Sequence, residues 1–162
     1  MIGGVRVTRF ATATPRLAPA DEALKWACTG MKQGEAGLAR LASVDRWGAM
    51  RTRVDGALER AWIRAQGPFS PGLVEALPGV DADAFVFFGY LYYPTLFGLP
   101  RVATRAALAP LADEEPMLYA PIVRRTMRSA RALIMNVDEE AERVRRIVAP
   151  ERVPMAVVAL GR

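Results

Sequence analysis

Three short runs hold most of the side chains that could bind or react. The first is Gly89-Tyr90-Leu91-Tyr92-Tyr93-Pro94-Thr95, where a glycine permits close backbone approach and neighbouring aromatics could stack on a sugar ring or an acyl chain. The second, Asp113-Glu114-Glu115-Pro116, crowds three carboxylates ahead of a proline. Carboxylates so placed can act as a general base, hold a magnesium ion or accept hydrogen bonds from sugar hydroxyls; equally, they can cap a following helix, whose first turn favours negative charge. The third is Asn136-Val137-Asp138-Glu139-Glu140, in which Asn136 and Glu139 have the spacing of a capping box. For Tyr92 and Tyr93 the alternative to a binding role is packing against the core. A fourth feature, the arginines Arg124, Arg125, Arg128 and Arg131, forms a basic stripe that either faces solvent or lies against an anionic lipid surface.

Some chemistry is excluded. The chain has no histidine, which removes an imidazole base, a Ser-His-Asp triad and histidine-ligated metals. No glycine-rich fingerprint follows a strand and opens a helix, and no Walker sequence occurs, so no phosphate cradle is visible.

Those runs need elements to carry them. Ala84-Phe85-Val86-Phe87-Phe88 is a continuous apolar stretch, which predicts a strand covered on both faces. Ala106 to Pro110, Ala132 to Met135 and Met155 to Leu160 read the same way. Helical segments are expected between them, near Tyr93 to Thr104, Glu115 to Ser129 and Asp138 to Val148. The last carries Glu139, Glu140 and Glu142 at its start and Arg143, Arg145 and Arg146 at its end, matching the helix dipole. Upstream, Val5 to Phe10 alternates as an edge strand should, and Trp47, Met50, Val54, Leu58, Ala61 and Trp62 recur at helical spacing. A short helix is expected from Ser70, whose hydroxyl would cap it with Pro71 in the first turn. Strand, loop and helix in alternation predict an α/β fold: a Rossmann-like, mainly parallel sheet with flanking helices. In such sheets ligands sit at the carboxyl ends of the strands, here Gly89-Tyr90, Leu111-Ala112-Asp113, Asn136 and Gly161.

The 162 residues, 52% of them hydrophobic, suit one domain spanning 1–162. Cys28 is the only cysteine and no signal-peptide pattern opens the chain, so a reducing, cytoplasmic setting is expected. Lys25 and Lys32 are the only lysines among 22 basic residues, and the formal charge of +5 is spread over several helices. That distribution matches no nucleic-acid-binding module, and no nucleic-acid partner is expected. Contact with a membrane is at most peripheral, since the longest uncharged stretch, Ala84 to Pro100, is too short to span one.

Taken in order, Gln66-Gly67-Pro68-Phe69-Ser70-Pro71, Phe85 to Pro100, Asp113-Glu114-Glu115-Pro116 and Ala132 to Asn136 resemble bacterial family 4 glycosyltransferases, over most of the chain. The resemblance implies part of a GT-B enzyme, its N-terminal acceptor-side domain, which binds a sugar or glycolipid acceptor while a second domain binds the nucleotide sugar. It implies no cofactor and no essential metal. The family's opening strand, glycine-rich loop and helix are not seen before Met1, and the linker and donor domain are not seen after Gly161. The sequence is therefore expected to be truncated relative to the family at both ends, and transfer to need a nucleotide-sugar-binding domain on another chain. Asp113 falls where similar members carry a histidine beside the reacting sugar. Gly89, Tyr90, Tyr92, Thr95, Glu114, Glu115 and Asn136 would line the acceptor cleft. The rival expectation is a non-catalytic module that self-associates as a homodimer, or binds an intact homologue, through a sheet edge left unpaired.

Overall fold

The computed structural model describes residues 6–13, 56–57 and 59–158. Most of the helical pattern upstream of residue 56 lies outside those residues, as does Gly161. Residues 59–66 are helical (α1), with Trp62 turned inward as the stripe predicts; Ile63 and Ala65 are buried beside it, whereas Ala61 is exposed. A short helix, α2, runs Pro71–Ala76 with Ser70 at its N-cap and Pro71 in its first turn, but no side-chain hydrogen bond caps it.

Four strands follow: β1 (Phe85–Phe88), β2 (Ala106–Ala109), β3 (Ala132–Met135) and β4 (Met155–Val157). They pair in the order β1-β2-β3-β4, every pair parallel, with Phe87 beside Leu108, Leu108 beside Leu133 and Leu133 beside Met155. Helix α3 (Pro121–Ser129) links β2 to β3, and α4 (Asp138–Val148) links β3 to β4. This is the α/β, Rossmann-like architecture that the alternation predicts.

The core lies on one face of the sheet. Ala106, Leu108, Leu133 and Met135 point into it and meet Ile122, Val123 and Met127 of α3 and Ala141, Val144, Ile147 and Val148 of α4. The opposite face is different. Val86 and Phe88 are 53% and 59% exposed, and Ala107 and Ile134 are half-buried. The expectation that these strands are covered on both faces is therefore corrected among the described residues: an apolar strand run reports burial only where a layer exists to cover it.

Three further expectations change. Residues 6–12 have no regular structure, and Val7 and Phe10 stay exposed at 49% and 36%; among the described residues this segment finds no partner strand, and the Ala13 N–H that follows it donates to the Phe69 carbonyl at 2.8 Å. Between β1 and β2, in place of a helix, the chain makes a wide π turn at Pro94–Gly98 and tight 3₁₀ turns at Leu99–Arg101 and Ala103–Arg105. Two prolines and a glycine within Pro94 to Pro100 remove the amide donors and stiffness a regular helix needs. Likewise the segment expected to be one helix from Glu115 splits into a 3₁₀ turn, Pro116–Tyr119, and α3, because Pro121 forces a new start. No helix among the described residues is long and apolar enough to cross a membrane.

Candidate functional site

Parallel pairing brings the exits of β1, β2 and β3 to one edge of the sheet, and two loops there are fastened to each other. Gly89, at φ +74°, turns the chain out of β1; its N–H donates to the Ala109 carbonyl at 2.9 Å and the next N–H, of Tyr90, to the Pro110 carbonyl at 3.2 Å. The β1–β2 ladder so continues past the strands and delivers Tyr90 to the loop of carboxylates. Thr95 Oγ donates to the Gly89 carbonyl at 2.8 Å in a buried setting, so this residue braces the turn from behind.

Tyr90 is 2% exposed and its hydroxyl donates to Glu115 Oε1 at 2.7 Å. Burial, then the hydrogen bond to Glu115 and the charges of Glu115 and Asp113, push its phenol far above the ordinary range. Tyr90 therefore remains a hydrogen-bond donor at any physiological pH. Glu114 is held differently: Oε2 receives Arg146 Nη2 at 3.0 Å, with Arg143 Nε 4.0 Å away, and Oε1 accepts from the Tyr119 hydroxyl at 3.4 Å. Asp113 is exposed, and its carboxylate has no partner among the described residues. Of three adjacent acids, one is engaged by a tyrosine, one by arginines and one faces solvent free.

The residue that organises this edge is Glu140, which is only 4% exposed. Its Oε1 accepts from the Ala112 N–H at 2.7 Å and its Oε2 from the Asn136 N–H at 2.8 Å, so one carboxylate ties the β2 exit to the β3 exit. Arg143 Nη1 donates to the Ala112 carbonyl at 2.7 Å, clamping the same residue from its other side. Leu111, at φ 55°, makes the bend that this attachment requires. Asn136 Oδ1 is buried here without a partner.

The capping roles weighed from the sequence are thereby corrected. Val137, not Asn136, occupies the N-cap of α4, and Glu140 rather than Glu139 reaches back to an amide. The 3₁₀ turn after Glu115 and helix α3 likewise have no side-chain cap and no acid in their first turns. Tyr93 packs edge-on to Phe69 at 4.7 Å and beside Phe97 at 4.9 Å, a core role. Tyr92 is 44% exposed and borders, with Leu73, Phe87, Phe88 and Thr95, an apolar groove of about 650 Å³ along β1.

The structure thus gathers Tyr90, Asp113, Glu114, Glu115 and Asn136 at one edge, with Gly89 as the turn that makes it possible. It sets Tyr92 in the neighbouring groove and Thr95 behind the turn. Glu140 and Arg143 were not singled out from the sequence as site residues. A signal did exist: Glu140 falls on the stripe of Ala141, Val144, Ile147 and Val148, so a carboxylate there must be buried and must find donors. No group of three or more acidic, cysteine or histidine residues suited to a metal ion occurs among the described residues. No family model, no curated protein and no solved structure matches this chain.

Proposed function

We propose that this chain is an acceptor-side, sugar-binding domain of the GT-B glycosyltransferase type, transferring sugar only when completed by a nucleotide-sugar-binding domain. The observation that carries the reading is the unpartnered Asp113 carboxylate at the β2 exit, set beside a Tyr90 locked in its donor state and a loop pinned by Glu140 and Arg143. A free carboxylate accepts two hydroxyls of a sugar, and a fixed loop avoids the ordering cost that a mobile one incurs on binding. The position suits it, since ligands of parallel α/β sheets lie outside the carboxyl ends of the strands. An aspartate accepts hydrogen bonds but, when ionised, donates none, so Asp113 would orient an acceptor hydroxyl without matching the donor and acceptor pattern of an imidazole. Ligand-observed NMR against a panel of methyl glycosides and nucleotide sugars tests the reading. Binding of a glycoside and of no nucleotide sugar supports it; binding of a nucleotide sugar to the isolated chain, or of no sugar at all, sinks it.

A second reading, a non-catalytic module that self-associates, draws on β1. Its outer edge is unpaired among the described residues, and Val86 and Phe88 beside it are more than half exposed. An unpaired strand flanked by apolar side chains is a template for another strand. A concentration-independent monomer in light scattering would count against this reading.

A further inference from the structure

Pro121, Arg124, Arg125 and Arg128 recur at three- and four-residue spacing and share the outer face of α3, opposite the buried Ile122, Val123, Thr126 and Met127. With Ser129 they line an open groove of about 550 Å³. No acidic residue lines it, and α3 contains none. Among the described residues these three arginines have no carboxylate partner, whereas Arg143 and Arg146 of α4 share Glu114. Like charges three and four residues apart repel, so folding alone does not favour such a stripe. One of the three is also set in place, and another carries an unsatisfied donor. Arg128 Nε donates to the Val148 carbonyl at 2.7 Å, in the last turn of α4, which leaves its two terminal nitrogens without partners among the described residues. Arg124 Nε is buried with no acceptor, a condition that folded proteins seldom leave uncompensated. A tetrahedral oxyanion answers both features: it neutralises the stripe and offers several acceptors to planar guanidinium forks.

We propose that the groove along α3 binds a phosphate group, carried by inorganic phosphate or by a phosphate ester, through Arg124 and Arg128, with Arg125 supplying charge at the rim. The test is a titration of the full, nitrogen-15-labelled chain with sodium phosphate, replacing chloride at constant ionic strength while the arginine Nε–Hε resonances are followed. The Arg124 and Arg128 signals should shift saturably. Arg124→Gln and Arg128→Gln should each weaken binding about tenfold or more, and Arg60→Gln, at an exposed position of α1, should leave it unchanged. Circular dichroism checks that each variant folds; should either of these variants fail, Arg125→Gln, at an exposed position, carries the test and should weaken binding severalfold. Phosphatidylcholine vesicles containing phosphatidylglycerol that displace the phosphate, where pure phosphatidylcholine does not, name a lipid headgroup as the source. Phosphate binding untouched by either vesicle assigns the groove to a soluble phosphate. Shifts that chloride reproduces, no saturation, or undiminished affinity in folded arginine variants overturn the proposal.

Discussion

Removing the Glu140 side chain should loosen two loops at once, and the size of the loss follows from what it holds. In Glu140→Ala the Ala112 and Asn136 amides, bonded to the carboxylate at 2.7 and 2.8 Å, both lose their acceptor in a site that is 4% exposed. A hydrogen bond to a charged group contributes about 1.5–3 kcal/mol, and stranding a buried donor forfeits that in full. Two such bonds, less some relief from water entering the gap, put the cost at roughly 3–5 kcal/mol, a large share of the ~5–15 kcal/mol that holds a domain together. Glu140→Gln keeps one acceptor oxygen but turns an amide donor toward the other N–H, so its cost should fall between, at about 2–3 kcal/mol. Glu139 is exposed, and Glu139→Ala should cost no more than about 0.5 kcal/mol. Urea denaturation followed by circular dichroism measures all three. If Glu139→Ala and Glu140→Ala proved equally destabilising, the assignment of the reach-back bond to Glu140 would be wrong, and with it the account of how the loops are fixed.

Three other expectations are simpler. Gly89→Ala should destabilise by about 1–2 kcal/mol, because φ is +74° and the new Cβ would lie 2.7 Å from a ring carbon of Tyr92, which can swing outward; a neutral result in thermal unfolding would contradict the turn geometry. Tyr90 should make folding weaken in alkali: its folded pKa is raised above the ordinary 10.0, so above that pH the unfolded chain loses a proton that the folded one keeps, and stability should fall by about 1.4 kcal/mol per pH unit from this group. Tyr90→Phe should lack that component, and denaturation of both proteins between about pH 9 and pH 11 would show equal slopes if the phenol were not buried against Glu115. Under the self-association reading, Phe88→Lys should convert a dimer to a monomer in light scattering, since a lysine on an open strand edge opposes pairing; a dimer surviving the change would place the contact elsewhere.

What could be read in advance depended on how local the determinants were. Helix α4 was legible to the residue because charge segregation and an apolar stripe act within the helix itself. Strand β3, Ala132–Met135, was legible because it is a short apolar run between two polar segments. The stretch from Tyr93 to Thr104 reads as a helix between two strands, but Pro94, Gly98 and Pro100 break its backbone into short turns. The acidic run at Asp113 was found, but the different fates of its three members were not, since each is decided by a partner distant in sequence: Tyr90 lies 25 residues from Glu115, and Arg146 lies 32 from Glu114. The bridging role of Glu140 was missed for the same reason. Its partner Ala112 is 28 residues away, and nothing local tells a capping glutamate from one that crosses to a neighbouring loop.

The central claim is that the free carboxylate at the β2 exit receives a sugar. Saturation-transfer NMR of methyl glycosides with the native chain and with Asp113→Asn tests it most directly, because the substitution keeps shape and removes charge. The account predicts saturable binding of at least one glycoside to the native chain and a loss of about tenfold in affinity in the variant. Equal binding by the two proteins would contradict it.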